Sequence, residues 1–143
     1  MYYGALEAGG TKMVCAIGDA DKNIIDRISI PTGTPDQSLP AMIDYFKKYD
    51  ISALGIGTFG PADINPNSPT YGSIMRSPKK DWEGFSLYKA FTDALGCLVV
   101  VDTDVNAAAW GEYLYGALKG LNSGMYLTVG TGIGGGIISD GRL

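Results

Sequence analysis

Glu7-Ala8-Gly9-Gly10-Thr11-Lys12 is the stretch on which the reading of this chain turns. It lies within residues 2–18, where one apolar run ends in a Gly-Gly pair and a second, Met13-Val14-Cys15-Ala16-Ile17, follows. Two strand-forming runs joined in this way predict an antiparallel hairpin. A carboxylate closes the first strand, and a hydroxyl and an amine open the second. Glycines let the backbone approach an anion closely with N–H groups turned toward it, and Thr11 and Lys12 add further donors. The stretch is therefore a candidate phosphate cradle. A plain hairpin turn is the other reading it admits, because Gly-Gly turns are common. A P-loop does not fit: Gly4 and Gly9 have the spacing, but Gly10 stands where lysine is needed and a strand follows instead of a helix.

Working outward, residues 24–30 alternate in the manner of a third strand and are closed by Pro31 and Gly33, so the chain opens with an antiparallel meander. Leu39, Met42, Ile43 and Phe46 then follow helical spacing, with Ser38 as the expected N-cap and Pro40 in the first turn. Residues 53–58 read as a short buried strand, and a Pro/Asn/Ser-rich loop runs on to about residue 80, a length that is uncommon unless functional. Ser86 is placed to cap a helix bearing Leu87, Tyr88, Phe91 and Leu95, which Gly96 would end in a left-handed turn. The apolar strand Leu98-Val99-Val100-Val101 follows, then a small-residue helix expected to reach about Lys119. In that helix Gly111 and Ala107-Ala108-Ala109 suggest close backbone packing, since glycine inside a helix costs about 1 kcal/mol against alanine. Trp110, Tyr113 and Tyr115 are read as core or interface aromatics. Residues 125–139 read as two strands around a second glycine bend. No repeat or linker interrupts the chain.

Two further constellations carry chemistry. Gly130-Thr131-Gly132-Ile133-Gly134-Gly135-Gly136 contains the spacing G-x-G-x-x-G, but a dinucleotide site requires a helix next and an acidic residue about 20 positions on. Here Ile137-Ile138-Ser139 reads as a strand, so the bend is a candidate phosphate hairpin with Thr128 and Thr131 hydroxyls, or a purely structural hairpin. Asp102-Thr103-Asp104-Val105-Asn106 lies where a buried strand passes into a helix, the edge at which α/β sheets place ligands. Asp104 is the candidate acceptor of a hydroxyl proton, and any of Asp102, Thr103 and Asp104 could instead serve as an N-cap.

Composition bounds the function. At 143 residues with 45% apolar and 18% charged side chains, the chain is sized and composed for one globular domain. Its net charge of −4 offers no general positive field for nucleic acid or an anionic membrane, so a phosphate must be held locally. Cys15 and Cys97 have no metal-ligand spacing and histidine is absent. Neither a signal segment nor an apolar run of about 18 residues is visible, and a cytoplasmic location with reduced thiols is the expectation.

In this order the three constellations resemble the ROK family of bacterial sugar kinases, of the actin-like ATPase superfamily. Glu7-Ala8-Gly9-Gly10-Thr11-Lys12 is similar to the family's first phosphate loop, Asp-x-Gly-Gly-Thr-Lys. Thr103-Asp104-Val105-Asn106 is similar to its catalytic Asn-Asp-x-Asn, and the glycines from Gly130 to its second phosphate loop. Phe59-Gly60-Pro61-Ala62-Asp63, Ser68-Pro69-Thr70-Tyr71-Gly72 and Ser77-Pro78-Lys79 resemble the fructokinase-like branch, as does Glu7 in place of Asp. The resemblance implies an α/β, ribonuclease H-like fold with a mixed sheet, an early meander and then βα units. It implies transfer of phosphate from ATP·Mg²⁺ to a hexose, fructose above all. Asp104 would be the base; Gly9, Gly10, Thr11, Lys12, Gly130, Thr131 and Gly132 would hold the nucleotide phosphates. Gly60, Pro61, Thr103 and Asn106 would face the sugar, and Glu7 would orient Mg²⁺ through water. Thr103 departs from the usual Asn, which bears on the choice of hexose.

The family's Glu-x-Gly-His sugar motif, cysteine-rich Zn²⁺ site and adenine-binding segment have no counterpart in the chain. Residues 1–143 are accordingly expected to be the amino-terminal lobe, inactive alone, with the Zn²⁺ in a second lobe and a homodimer possible for the whole enzyme. The alternatives are a noncatalytic actin-like assembly domain and a sugar-sensing regulator of the same family without its DNA-binding module. No nucleic-acid or membrane partner is expected.

Overall fold

A computed structural model describes residues 1–130 and 132–143. Strands β1 (Tyr2–Ala8), β2 (Lys12–Asp19) and β3 (Ile24–Pro31) form the expected antiparallel meander. Helix α1 (Pro35–Phe46) leads to β4 (Ile51–Thr58), helix α2 (Leu87–Leu95) to β5 (Leu98–Thr103), and α3 (Asp104–Tyr115) to the hairpin β6 (Gly124–Val129) and β7 (Ile133–Ile138). The first five strands make one mixed sheet in the order β3-β2-β1-β4-β5, with β1, β4 and β5 mutually parallel. Parallel neighbours need crossovers, and α1 and α2 supply them.

Strand alternation sorts the two faces. Leu6, Ala8, Met13, Cys15, Ile17, Leu54, Ile56, Val99 and Val101 point to the face covered by α1 and α2, where they meet Met42, Phe46, Leu87 and Phe91 in one buried cluster. Each of the larger aliphatic and aromatic side chains among them contributes on the order of 1.5–3 kcal/mol by leaving water. Burial there pushes the Cys15 thiol up to about 12, so it stays protonated as packing material. Glu7, Gly57 and Asp102 are register partners across β1, β4 and β5 and point to the opposite face, which α3 partly covers.

The helix termini correct the sequence reading in two places. Helix α1 begins at Pro35, ahead of Ser38, because the Gln37 side chain accepts the Thr34 N–H at 3.0 Å and Pro35 occupies the first turn. Ser38 is buried and its hydroxyl accepts the Gly33 N–H at 2.9 Å, while Pro40 falls inside the helix. Helix α3 ends at Tyr115, short of Lys119, with Gly116 as its C-cap. The second helix is as expected: the Ser86 hydroxyl accepts the Lys89 N–H at 3.1 Å and Gly96 has φ +65°.

Helix α3 is the hinge of the layout. It lies between the five-stranded sheet and the β6–β7 hairpin, which forms a separate two-stranded sheet. Both approaches depend on glycine. A Cβ on Gly57 would come within 3.0 Å of the Ala107 Cβ, and one on Gly136 within 2.2 Å of the Val105 carbonyl oxygen. Gly111, by contrast, faces open space, so the close packing runs through the alanines and the strand glycines. The outer side of the hairpin is apolar and open: Met125, Leu127, Val129, Ile133 and Ile137 are 54% to 80% exposed. Tyr115, expected in a core or interface, is 63% exposed. No helix among the described residues is long and apolar enough to cross a membrane.

Two outcomes follow from this packing. Gly136→Ala should lower the free energy of unfolding, or detach the hairpin, by about 3 kcal/mol, the upper end of the usual overpacking cost; a neutral result in chemical denaturation would contradict the close approach. The Tyr49 hydroxyl donates to Asp26 at 2.6 Å and holds its carboxyl below the usual range. The stability from this bond is therefore present above the unfolded pKa of about 3.9 and fades as the pH falls below it. Acid titration of Asp26→Asn should show a smaller loss over that window than the parent.

Candidate functional site

The β1–β2 bend is held from behind. Gly9 N–H donates to the Lys12 carbonyl at 3.0 Å, the Thr32 hydroxyl donates to the Gly9 carbonyl at 2.7 Å, and Phe59 N–H donates to the Ala8 carbonyl at 2.8 Å. None of these bonds uses the N–H groups of Gly10 or Thr11. A Cβ on Gly9 would stand 2.6 Å from the Lys12 carbonyl oxygen, so the bend in this form requires glycine there. The β6–β7 bend is closed by Gly130 N–H donating to the Gly132 carbonyl at 2.9 Å.

The two bends meet. Gly10 and Thr11 from the first, Gly130, Gly132 and Gly134 from the second, and Gly60, Thr103 and Asp104 line one cleft of about 660 Å³. Phe59, Val105, Thr128 and Ile133 complete it. Strand β5 delivers Thr103 and Asp104 to this cleft because its carboxyl end passes straight into α3. Glycines and threonines of both bends and the amino-terminal turn of a helix line this one space, residue types suited to anionic oxygen.

Of the sequence-derived candidates, Gly10, Thr11, Gly130, Gly132, Gly60, Thr103 and Asp104 line the cleft. Thr131 lies outside the described residues. Gly9 braces the bend from within, while exposed Lys12 begins β2 and Pro61 follows Gly60 through a cis peptide bond; neither contributes to the cleft wall. Thr103 is the N-cap of α3, its hydroxyl accepting the Asn106 N–H at 3.2 Å. Asn106 turns away from the cleft: its side-chain amide donates to Asp102 Oδ1 at 2.8 Å, which also accepts the Thr103 N–H at 2.7 Å.

Glu7 lines a neighbouring groove of about 750 Å³ with Asp102, Asp104, Gly57 and Trp110. Asp104 borders both cavities and is the carboxylate that connects them. Among the described residues no three His, Cys, Asp or Glu side chains converge as a metal-binding set. A cation here would share one or two of these carboxylates with phosphate oxygens and water, which is the ligand set Mg²⁺ favours. Asp102 was legible only as a possible cap; strand alternation from Val100 puts it on the Glu7 face. Val105 and Ile133 give no sequence signal, since apolar residues at such positions read as core.

A family model described as ROK family matches residues 3–143. The fructokinase of Lactococcus lactis subsp. cremoris is 46% identical over 141 residues, covering 99% of this chain and 48% of that protein. The fructokinase of Pediococcus pentosaceus is 43% identical over 143 residues, covering 100% and 50%. The structure of a ROK family glucokinase from Streptomyces griseus, in complex with glucose and AMPPNP, superposes with a TM-score of 0.80 at 30% identity, covering 99% of this chain and 46% of that one. The chain thus spans about half the length of the curated relatives it matches.

The capping role of Thr103 sets an expectation for this end of the site. Thr103→Ala should cost about 1 kcal/mol of stability through the lost cap, and Thr103→Asn should retain it, since Asn caps as well as Thr. Equal melting curves for the parent and Thr103→Ala would count against the cap.

Proposed function

The chain belongs to the ROK family and has the actin-like ATPase fold of its sugar kinases, and from that premise we propose that the whole protein transfers the terminal phosphoryl group of ATP to a hexose, fructose first. The observation that carries the reading is the shared cleft, in which two glycine bends and Asp104 face one volume. The fructokinase names of relatives at 43% and 46% identity support fructose over other hexoses.

Asp104 is the general base in this reading. It stands in the first turn of α3 and borders the cleft, where its carboxylate is placed to take the hydroxyl proton. Asn106 and the Thr103 cap fix the start of that helix, so the carboxylate is presented from a rigid element. Gly10, Thr11, Thr131 and Gly132 hold the nucleotide phosphates through N–H and hydroxyl donors, Gly9 and Gly130 shape the two bends with N–H groups bonded internally, and Lys12 adds charge at longer range. Glu7 is the side chain that would orient Mg²⁺ through water, and the ion would supply charge neutralisation to the phosphates when bound. Gly60 and Thr103 face the sugar in this reading, with Pro61 and Asn106 supporting those two. Catalysis of this kind rests on positioning and charge stabilisation.

Residues 1–143 act as the amino-terminal lobe. The exposed apolar outer side of β6–β7 supports this, being a surface that further protein would cover. A structural Zn²⁺ and the contacts of a homodimer belong, on this reading, to the part of the protein outside residues 1–143, and the enzyme works in the cytoplasm.

A coupled assay of the full-length gene product against fructose, mannose and glucose should show turnover highest with fructose. Asp104→Asn should reduce kcat by at least about 10²-fold, the low end for loss of a general base, and near-parental kcat would reject the assignment. Residues 1–143 alone should show no appreciable kinase activity, and turnover near that of the whole enzyme would refute the lobe reading.

A further inference from the structure

Among the described residues strand β5 is an edge strand: it pairs with β4 on one side and with no strand on the other. Its buried residue Val101 nonetheless has both backbone groups satisfied by one side chain. Val101 N–H donates to the Tyr71 hydroxyl oxygen at 2.8 Å, and that hydroxyl donates to the Val101 carbonyl at 2.9 Å. A phenol that donates once and accepts once thus takes the place of the missing neighbouring strand. Val101 is three residues before Asp104, in the strand that carries it into the cleft.

Tyr71 is itself tightly placed. The Asp63 carboxylate accepts the hydroxyls of Ser68 and Thr70 and the Asn65 N–H, knotting the loop just ahead of it. Gly72 N–H donates to the Asp63 carbonyl at 2.7 Å, and Gly72 has φ +74° with the Tyr88 Cβ only 2.4 Å from where its own Cβ would stand. The Tyr71 ring packs on Tyr88 at 5.0 Å between centroids. The same loop begins at Gly60, on the wall of the cleft. One loop therefore reaches the cleft at its start and grips the Asp104-bearing strand near its middle.

We propose that Tyr71 is a positioning residue, whose hydroxyl clamps the carboxyl end of β5 and so fixes where Asp104 stands relative to the loop that carries Gly60. The proposal rests on the reading of Asp104 as the base. It makes the loop of residues 61–76 part of the working machinery, acting through Val101 without touching a substrate.

The test uses the full-length protein. Tyr71→Phe keeps the ring and removes only the hydroxyl. Expected are faster amide exchange at Val101, a fall in kcat of about tenfold or more with fructose, and KM for ATP within about twofold of the parent. Placed in an Asp104→Asn background, the same substitution should lower the residual rate little further, because a residue acting through Asp104 has nothing left to position. Unchanged kcat, or an equal fold-loss in both backgrounds, would overturn the proposal. If Tyr71→Phe does not fold, Thr70→Val loosens the knot one residue away, and the same pattern is required of it. An Asp104→Asn enzyme with full kcat would sink the base assignment and the catalytic part of this proposal together, whereas unaltered Val101 exchange in Tyr71→Phe would sink the clamp alone.

Discussion

Everything in this molecule is arranged around how closely α3 is approached from two sides. On one side Gly57 lets the helix settle on β4; on the other Gly136 lets β7 lie against the Val105 carbonyl. A Cβ at the Gly136 position would collide with the Val105 carbonyl, and one at the Gly57 position would press on the Ala107 Cβ at 3.0 Å. Interiors are packed like crystals, so such a collision is not taken up locally but moves whole elements. The absence of bulk on the strands is what allows two separate sheets to face one helix terminus.

From that approach the site follows. The β1–β2 bend belongs to the large sheet and the β6–β7 bend to the hairpin, and only their common contact with α3 brings Gly10, Thr11, Gly130 and Gly132 to one cavity. Asp104 is the first residue of the helix so held, and it borders both that cavity and the groove containing Glu7 and Asp102. The acid groups and the donor groups thus occupy adjoining spaces instead of one crowded centre. That separation suits a reaction in which anionic phosphates must be held near a carboxylate that also takes a proton.

The long loop between β4 and α2 gains a purpose in this setting. It has two duties, a wall of the cleft at Gly60 and a grip on the free edge of β5 at Tyr71, near its middle. Edge strands normally expose a row of unsatisfied backbone groups, and here a tyrosine hydroxyl meets two of them, the N–H and carbonyl of Val101, on the strand that carries Asp104. The buried core on the far face, from Leu6 to Phe91, supplies the stability against which these close approaches are held.

Much was legible from the chain alone, because local chemistry leaves periodic marks. Alternation and turn glycines announced the meander and the second hairpin, Ser86 and Gly96 announced the ends of α2, and the order of the three motifs announced the family. The start of α1 lies ahead of Ser38 because the Gln37 side chain reaches back to the Thr34 N–H, a bond that apolar spacing does not display. What only the tertiary structure decided is which distant residues share a space. Asn106 turns to Asp102, Glu7 faces the groove and not the cleft between the bends, and Tyr71 reaches across 30 positions to Val101. Sequence records what each backbone segment prefers by itself; the meeting of segments is fixed by how near two layers can come, and here that nearness is set by atoms that glycine lacks.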